Sequence, residues 1–287
     1  MTGAGGMLGQ DVVTSLGRDG ETVFALTRQD LDITDQGAVT AAVLECRPDI
    51  VVNCAAWTAV DEAETHEDEA LGVNGLGTRL VAVACARSGA RLIHISTDYV
   101  FGGDASRPYA EHDGCGPRTA YGRTKLAGEQ AVAELLPGSG FIVRTAWLYG
   151  AHGPNFVRTM ISLERARESV DVVDDQHGQP TWTMDVAGQI IALGHSRAPG
   201  GVYHATSSGQ TTWFGFAREI FRLLGADTAR VRPVASSAYP RPAPRPAYSV
   251  LGHGAWASTG IKPIPGWRLQ LRQGFCVFAA ACHNPPG

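Results

Sequence analysis

Three residues carry hydroxyl and amine groups at a spacing that suits proton transfer. Tyr121 and Lys125 lie four residues apart in YGRTKLAGE, so on a helix they share one face. A phenol has a pKa of about 10, and a nearby ammonium group lowers it toward neutral pH. Thr97, in HISTDYVFGG, adds a hydroxyl that can hold a carbonyl oxygen by a hydrogen bond. Together these groups suit hydride transfer to a carbonyl, in which the tyrosine protonates the oxygen.

A tyrosine and a lysine at this spacing are common in helices, so their meaning depends on the elements around them. A glycine-rich turn opens the chain: Gly3, Gly6 and Gly9 in MTGAGGMLGQ form G-x-x-G-x-x-G. Such a turn brings backbone N–H groups close to a dinucleotide pyrophosphate at the start of a helix. The sequence predicts that helix over 10–20 and a strand over 22–27, which is the context that a dinucleotide-binding turn requires.

The residue that recognises the adenosine ribose of the cofactor should lie at the end of that strand. Thr27 and Arg28 stand there, with no acidic residue directly at the strand end. Arg28 suits a 2′-phosphate, which favours NADPH, with NADH as the alternative. A solvated surface arginine is the simpler interpretation of Arg28.

The strand that should lead into the glycine turn is missing from the sequence. Only Met1 and Thr2 precede Gly3. If Met1 replaces a strand valine, the turn reads VTGAGG, and a valine codon can also serve as a start codon. We therefore hypothesise that the true start lies a few residues upstream and that the first strand is truncated here, which puts cofactor binding by this form in doubt.

Four apolar runs, at 22–27, 49–56, 91–97 and 141–150, have the continuous character of buried parallel strands. Helical patterns lie between them, at 38–47 and 77–89. This alternation predicts an α/β fold with a doubly wound parallel sheet of the Rossmann type. Ligands of such sheets bind at the carboxyl ends of the strands.

The texture of the sequence changes near residue 151, where aromatic and polar residues interleave. We predict a dinucleotide-binding domain over 1–150 and a smaller α/β C-terminal lobe over 151–287 that binds the substrate, with some segments returning to the first domain. The proline-rich segment 239–251 is either an extended linker or a binding loop. The final segment, 273–287, lacks helical periodicity.

Composition excludes several classes of protein. The net charge of the 287 residues is −4 and there is no basic tract, so a nucleic-acid partner is not expected. No apolar run approaches the roughly 20 residues of a membrane helix, and no signal peptide is evident. The cysteines form no C-x-x-C pair, which favours free thiols in the cytoplasm over a zinc site or disulfides. They are Cys46, Cys54, Cys85, Cys115, Cys276 and Cys282.

A series of motifs in a fixed order carries a family resemblance from residue 3 to about residue 250. It consists of the glycine turn followed by NCAAWTAVDEAE, HISTDYVFGG, RPYAEHD, YGRTKLAGE, RTAWLYG, NFVRTM, DDQHGQPT and SSAYPRPAPRP. The sequence resembles the dTDP-4-dehydrorhamnose reductase family of the extended short-chain dehydrogenase/reductase superfamily. The resemblance implies a nicotinamide-dependent oxidoreductase that acts on a dTDP-4-keto-6-deoxyhexose.

The resemblance also implies roles for individual residues. Tyr121 would be the general acid, Lys125 would bind the nicotinamide ribose and lower the pKa of the tyrosine, and Thr97 would orient the keto oxygen. The expected substrate residues are Thr97, Asp98, Trp147 and Arg245, so that 239–251 becomes a binding loop. The expected cofactor residues are Gly3, Gly6, Met7, Leu8, Gly9, Arg28, Asp32, Ile33, Ala55, Ala56, Trp57, Tyr121 and Lys125.

The implied reaction reduces dTDP-4-dehydro-6-deoxy-L-mannose to dTDP-L-rhamnose. One alternative is the same chemistry on another dTDP-4-keto-6-deoxyhexose of secondary metabolism. Another is a non-catalytic, reductase-like regulatory subunit, which needs the cofactor fold but not proton delivery, so the intact Thr97, Tyr121 and Lys125 weigh against it. An epimerase or a dehydratase of the same superfamily is a further alternative. Against a dehydratase, Tyr99 follows Thr97 and Asp98, where such enzymes typically have a glutamate for the elimination of water.

Some family members use acidic side chains to hold a Mg²⁺ that bridges a dimer. Asp11 is the only partial match, so no metal site is predicted, and the chain is expected to be a monomer or a homodimer.

Several other residues remain open to two interpretations. Asn74 is a candidate neighbour of the catalytic strand, and His94 is expected to be a satisfied core residue. Trp182 and Trp213 are either core or substrate wall. Asp175 and Gln176 are expected to hold a loop between the two lobes rather than to take part in catalysis.

Overall fold

The protein is described here by a computed structural model that covers the backbone of residues 1–283 and the side chains of residues 1–278. The helices are α1 (Met7–Arg18), α2 (Gln36–Cys46), α3 (Val60–Ala63), α4 (Glu67–Leu71), α5 (Thr78–Ser88), α6 (Ala120–Leu135), α7 (Phe156–Ala166), α8 (Thr183–His195), α9 (Trp213–Leu223) and α10 (Trp267–His283). The strands are β1 (Ile50–Asn53), β2 (Arg91–Thr97), β3 (Gly140–Thr145), β4 (Leu148–Tyr149), β5 (Val170–Val173), β6 (His177–Gly178), β7 (Thr181–Trp182), β8 (Gly201–His204), β9 (Thr211–Thr212) and β10 (Val231–Val234). A π-helical turn, Gly72–Gly77, joins α4 to α5.

The central sheet is parallel, with strand order β1-β2-β3-β8. Successive residues of β2 point to opposite faces, so that Leu92 and Ile93 are buried in different cores. On the Ile93 side, α1 and α8 pack together and bury Val12 and Ile190. On the Leu92 side, α2, α5 and α6 cover the sheet. Helices on both faces of a parallel sheet confirm the predicted Rossmann-like α/β fold.

Short polar side chains begin several of the helices. The side chain of Asp35 accepts a hydrogen bond from the backbone N–H of Ala38 at 2.9 Å, and that of Thr119 accepts one from Gly122 at 3.0 Å. Each such cap satisfies a backbone N–H that has no partner inside the helix and contributes about 1 kcal/mol. These caps fix where α2 and α6 begin, and so fix the position of Tyr121 in the first turn of α6.

The prediction of a strand over 22–27 is wrong. Thr2 bridges to Leu26 on one side and to Asn53 on the other, so Leu26 is the one residue of the segment in a ladder contact within the described part of the chain. A parallel strand needs a continuous partner, and Met1 and Thr2 provide one for Leu26 alone. A cavity of about 330 Å³, lined mainly by apolar side chains, lies between 22–26 and β1. The hypothesis of an upstream start stays a prediction.

The second half of the chain builds a separate hydrophobic core from α7, α9, α10 and the parallel pair β5 and β10. Two elements of this half lie with the central sheet: β8 pairs with β3, and α8 packs against α1. The division of the chain at residue 150 stays a prediction.

The expectation that the final segment lacks helical periodicity is wrong, because α10 begins earlier, at Trp267. Trp267, Leu271 and Phe278 are buried and Phe275 packs against the same core, at intervals of four, four and three residues. These intervals place one apolar stripe on a helix. The segment 273–287 alone contains only Phe275 and Phe278 of this stripe, because Trp267 and Leu271 precede it. Residues 284–287 lie outside the described part of the chain.

Cys46, Cys54, Cys85, Cys115 and Cys276 are free thiols, while Cys282 lies outside the residues whose side chains are described. In the described part of the chain, no helix has both the length and the apolar character required to cross a membrane.

Candidate active site

The carboxyl end of β2 presents Thr97 and Asp98 at the edge of the sheet. The Thr97 hydroxyl accepts a hydrogen bond from the backbone N–H of Tyr99 at 3.2 Å and donates to Oδ1 of Asp98 at 3.0 Å. Both side chains are buried. Burial raises the pKa of Asp98 to about 6, and the hydrogen bond from Thr97 opposes this rise. Thr97 is thus held at the strand end, where the sequence places a carbonyl-binding hydroxyl.

The first turn of α6 brings Tyr121 to this strand end. Gly122 allows the approach, since a Cβ there would lie 2.2 Å from the carbonyl oxygen of Tyr99. Burial raises the pKa of Tyr121 to about 12, opposed by a hydrogen bond with Thr97, and the charge of Asp98 adds to the rise. Tyr121 is therefore protonated at neutral pH, as a general acid must be. The expected lowering of its pKa by Lys125 stays a prediction.

Lys125 lies one turn further along α6, with 2% of its surface exposed. Its Nζ donates to the carbonyl oxygen of Ile95 at 2.7 Å and lies 3.4 Å from Nε2 of His94. Burial lowers the pKa of Lys125 to about 8, and the negative charge of Glu129 opposes this fall. The helix thus places Tyr121 and Lys125 against the same strand, β2.

The glycine turn is built for close approach of backbone to backbone. Gly3 has φ of +69°, and a Cβ there would lie 2.4 Å from the backbone nitrogen of Ala55. A Cβ at Gly9 would lie 2.2 Å from the carbonyl oxygen of Gly3. Gly6 precedes α1 and offers no side chain to cap the first N–H groups of the helix. Those groups, with the helix dipole, form an end that favours anions, while the N–H of Gly6 itself donates to the carbonyl oxygen of Gly3 at 3.1 Å. Contacts of Gly6, Met7 and Leu8 with a pyrophosphate stay predictions.

The expected cofactor segment Ala55, Ala56 and Trp57 follows β1 and is tied to α6 through Asn74. The side chain of Asn74 accepts from the backbone N–H of Trp57 at 2.9 Å and donates to its carbonyl oxygen at 3.1 Å. It also donates to Oγ1 of Thr124 at 3.0 Å. Asn74 thus holds the cofactor segment against the helix of Tyr121 and Lys125, as its candidacy beside the catalytic strand suggests.

The three residues expected at the adenosine end of the cofactor differ in how exposed their side chains are. Arg28 is exposed beside Thr27, whose N–H and hydroxyl donate to Asp30 at 2.9 and 2.6 Å. Asp32 is exposed and accepts from the N–H and hydroxyl of Thr34. The side chain of Ile33 is buried in the core under α5 instead of facing outward. Contacts of Arg28, Asp32 and Ile33 with a cofactor stay predictions.

A cavity of about 870 Å³ opens between the end of β2 and the second lobe. Tyr99 lines it and contacts Tyr121 edge-to-face, with 5.7 Å between the ring centroids. Trp147, an expected substrate residue, also lines it, as does Trp213. These two rings are stacked, with centroids 3.6 Å apart and planes 7° apart. Trp182 lies against Phe278 in the core of the second lobe, so the structure separates the two tryptophans that the sequence leaves open.

Three guanidinium groups line the same cavity. Arg245, the expected one, is joined by Arg167 and Arg241, which the sequence analysis does not identify. Arg241 lies in the same proline-rich segment as Arg245, and that neighbourhood was the available signal. Arg167 follows α7, far away in sequence, and no motif indicates it. Gln176 lines the cavity too and donates to Ser236 at 2.8 Å, while Asp175 accepts from the backbone N–H of Ser236. These contacts lie within the second lobe, and the expected role of both residues in a loop between the lobes stays a prediction.

Within the described residues, no group of three or more His, Cys, Asp or Glu side chains is placed to hold a metal ion. Asp11 is buried between Thr183, whose hydroxyl donates to it, and His152, whose Nε2 lies 3.5 Å from its carboxylate. The absence of a metal site stays a prediction, as does the oligomeric state.

Comparison with known proteins agrees with this geometry. A Streptomyces griseus protein named dTDP-4-dehydrorhamnose reductase is 56% identical over 292 residues, which cover 100% of this chain and 96% of that protein. A Streptomyces niveus protein named dTDP-4-keto-6-deoxy-D-glucose reductase is 57% identical over 280 residues, which cover 98% and 97%. The structure of dTDP-4-dehydrorhamnose reductase from Bacillus anthracis in complex with NADP is similar, with a TM-score of 0.91, 41% identity and coverage of 96% and 97%.

The model of one protein family, described as the RmlD substrate binding domain, matches residues 1–278. The match spans the central sheet, the strand-end hydroxyl, the helix of Tyr121 and Lys125 and the cavity beside them. The chain therefore belongs to the RmlD substrate binding domain family, which confirms the resemblance carried by its motifs.

Proposed function

We propose that this protein reduces the 4-keto group of dTDP-4-dehydro-6-deoxy-L-mannose and yields dTDP-L-rhamnose. The observation that carries the proposal is the position of Thr97 and Tyr121 at the carboxyl end of β2, next to a cavity of about 870 Å³ lined by arginine and tryptophan side chains. Parallel sheets bind their ligands at this end. The expected oxidoreductase class is confirmed by the relatives named as reductases.

The residues of the glycine turn fit a dinucleotide cofactor. Side chains at Gly3 and Gly9 would collide with backbone, and the uncapped start of α1 faces the turn with free N–H groups. NADPH, with NADH as the alternative, supplies the hydride when bound. The support for NADPH is the NADP held by the Bacillus anthracis relative and the position of Arg28 directly after Thr27, where a 2′-phosphate would be bound. Met7 and Leu8 would bind the pyrophosphate through their backbone N–H groups, whereas the N–H of Gly6 donates to the carbonyl oxygen of Gly3 at 3.1 Å and would have to leave it to join them.

The chain's own residues complete the reduction. Thr97 would turn its hydroxyl hydrogen from Asp98 to the keto oxygen and so orient it, and Tyr121 transfers its proton to that oxygen as negative charge develops there. The O–H bond of Tyr121 breaks, a new O–H bond forms on the sugar, and the tyrosinate regains a proton from solvent. Lys125 as an ammonium group stabilises the tyrosinate and binds the nicotinamide ribose. Asp98 lies beside Thr97 and accepts the hydrogen of its hydroxyl.

The cavity suits the nucleotide part of the substrate. Arg167, Arg241 and Arg245 supply positive charge for a diphosphate, which guanidinium groups bind with paired hydrogen bonds. Trp147 and Trp213 provide flat apolar surfaces for a sugar or a base. The smaller cavity beside 22–26 does not combine several arginines with tryptophan rings, and its lining is mostly aliphatic.

A second candidate is the same reaction on another dTDP-4-keto-6-deoxyhexose. It is favoured by the Streptomyces niveus relative, which is as similar to this chain as the Streptomyces griseus one and is named for a different keto-sugar. Epimeric sugars differ by hydroxyl contacts in the pocket, so Thr97, Tyr121 and Lys125 serve both substrates equally. The regulatory-subunit alternative needs neither the placement of Tyr121 beside Thr97 nor the buried Lys125.

The test is a turnover assay with both keto-sugars, each generated in place, and with NADPH or NADH. Loss of the reduced nicotinamide absorbance is followed, and the product is identified by chromatography. We expect faster turnover of dTDP-4-dehydro-6-deoxy-L-mannose than of dTDP-4-keto-6-deoxy-D-glucose. The opposite order would establish the second candidate. Tyr121→Phe should lower kcat at least about 100-fold with binding of NADPH unchanged, and retained turnover would remove Tyr121 from the mechanism.

A further inference from the structure

A buried chain of polar contacts joins the glycine turn to the catalytic lysine. Thr2 Oγ1 donates to Oδ1 of Asn53 at 2.7 Å, and the backbone N–H of Ala55 donates to the same oxygen at 3.2 Å. Nδ2 of Asn53 lies 3.2 Å from Nδ1 of His94, and Nε2 of His94 lies 3.4 Å from Nζ of Lys125. The side chains of Asn53 and His94 are fully buried. The chain spans the space between the expected cofactor segment and α6.

The direction of each hydrogen bond follows from one fixed donor. A backbone N–H can only donate, so the atom of Asn53 that receives the Ala55 N–H is the amide oxygen. The amide nitrogen of Asn53 is therefore the donor that faces Nδ1 of His94, and Nδ1 must accept. Burial lowers the pKa of His94 well below its ordinary value, so its ring is neutral. A neutral imidazole with Nδ1 as acceptor carries its hydrogen on Nε2.

The Nε2–H of His94 then faces a lysine that is also a donor when charged. The ammonium form of Lys125 cannot accept a hydrogen bond from it, whereas the neutral amine can. The ammonium is instead held by the carbonyl oxygen of Ile95, at 2.7 Å. The close contact is possible because Gly128 of α6 has no side chain: a Cβ there would lie 3.3 Å from Nε2 of His94 and 2.4 Å from the carbonyl oxygen of Asn74.

The other ionisable groups around Lys125 are Glu129 on its own helix and Cys54 at the end of β1. Glu129 is engaged by Arg144, at 2.6 Å between Nη2 and Oε2, and by the hydroxyl of Ser96 at 2.5 Å. Burial raises the pKa of Cys54 to about 12, so this thiol is neutral. Neither group touches Lys125 directly, so within the described part of the chain His94 is the polar side chain in contact with its amine.

We propose that His94 is a positioning residue for Lys125: its Nε2–H, fixed by Asn53, disfavours the ammonium form and directs that form toward Ile95 and the cofactor side. The role in catalysis rests on the proposed reductase function, while the effect on the lysine itself does not. The sequence interpretation of His94 as a satisfied core residue accounts for Nδ1 but leaves Nε2 facing a second donor.

The sequence allows a direct test, because Lys125 and Lys262 are its only lysines. Lysine labelled with ¹³C at Cε gives two NMR signals in the intact protein, and Lys262→Arg assigns them. His94→Gln can turn an amide oxygen toward Lys125, so an acceptor replaces the donor. Asn53→Leu removes the group that fixes the imidazole tautomer, so that Nε2 becomes free to accept. Both variants should move the Lys125 titration midpoint up by about one pH unit.

Thr78→Val is the matched control, since Thr78 contacts the same Asn53 amide at 3.5 Å without deciding the tautomer of His94. Its Lys125 midpoint should equal that of the wild type. Circular dichroism confirms that each variant is folded. Identical midpoints in folded His94→Gln, folded Asn53→Leu and wild-type protein would overturn the proposal.

A second readout connects the effect to turnover. If Lys125 must be charged for catalysis, the alkaline limb of kcat against pH should move upward with the NMR midpoint in His94→Gln. A moved NMR midpoint without turnover in any form of the protein would contradict the reductase function and leave the role of His94 toward Lys125 intact. A moved midpoint with an unmoved alkaline limb would contradict its role in catalysis.

Discussion

Arg245 and Asp61 form an ion pair, with 2.8 Å between Nη2 and Oδ2, that joins the proline-rich loop to the helix following the cofactor segment. The other carboxylate oxygen of Asp61 accepts from the backbone N–H of Ala243 at 3.2 Å. One side chain of the first half of the chain therefore holds both the backbone and the guanidinium of a loop that lines the cavity of about 870 Å³.

Asp61→Asn should weaken substrate binding, because the amide can still receive the N–H of Ala243 but no longer carries the charge that orients Arg245. We expect KM for the nucleotide sugar to rise about threefold to tenfold, with the Kd of NADPH unchanged. Glu134→Gln is the control, since it breaks an exposed ion pair with Arg79 that lies on α5 and α6. Equal KM values for the two variants would show that Asp61 does not position the loop.

Trp213 should strengthen binding of the nucleotide sugar, because its stacked ring holds Trp147 in place. The backbone of Trp147 has φ of 47°, a left-handed conformation that costs a non-glycine residue about 1–2 kcal/mol, and the stacked ring of Trp213 compensates for part of that cost. Trp213→Leu should raise KM for the sugar nucleotide about tenfold and reduce the quenching of tryptophan fluorescence by dTDP, with Trp147 as the ring that remains in the cavity. Trp182→Phe, in the core of the second lobe, should retain the quenching of the wild type. Unchanged KM and unchanged quenching in Trp213→Leu would contradict this role.

Gly178 should tolerate no side chain, because its Cβ would lie 2.4 Å from Cε2 of Trp147. We expect Gly178→Ala to lower the free energy of unfolding by about 1–3 kcal/mol and to weaken binding of dTDP. Gly188→Ala is the matched control: Gly188 lies inside α8 with nothing within 4 Å of its would-be Cβ, so alanine should stabilise the helix by about 1 kcal/mol. Urea denaturation measures both changes, and a stable Gly178→Ala that binds dTDP normally would refute the packing account.

Asp98 should make the protein less stable as pH rises from about 4 to 6. Burial raises the folded pKa of Asp98 to about 6, above the value of about 3.9 in an unfolded chain, so the folded state binds the extra proton in this window. The stability that the protonated carboxyl provides is fully present below about pH 4 and is lost as pH rises through the folded pKa. The difference of about two units corresponds to about 3 kcal/mol.

Asp98→Asn should therefore be more stable than the wild type at pH 7 and similar to it at pH 4. Urea denaturation at the two pH values measures the difference, and Asp171→Asn, on an exposed pair with Arg232, is the control. Equal stability differences at both pH values would show that the carboxyl of Asp98 titrates normally. The same substitution should reduce kcat, because Asp98 lies next to Thr97 in the site.

Local patterns in the sequence predicted much of the catalytic half of the site. The spacing of Tyr121 and Lys125 gives a shared helix face, and a buried apolar run ending at Thr97 gives a strand that delivers a hydroxyl to the sheet edge. Both follow from short-range geometry, in which four residues make about one helical turn. The glycine turn was predicted for the same reason, since its spacing specifies where backbone must approach backbone.

The tertiary structure alone decided what lies opposite these residues. Arg167 and Trp213 reach the cavity of about 870 Å³, and Asp61 reaches Arg245, across sequence separations that no local periodicity records. The segment 22–27 has the composition of a strand but does not form one, because a strand exists only when a neighbouring strand accepts and donates its backbone hydrogen bonds. His94 has apolar neighbours in the sequence, Ile93 and Ile95. Only the folded chain shows that its ring contacts the polar side chains of Asn53 and Lys125. The sequence by itself determined which residues share a helix face or end a strand, because those relations are local, whereas packing decided which distant side chains lie opposite them.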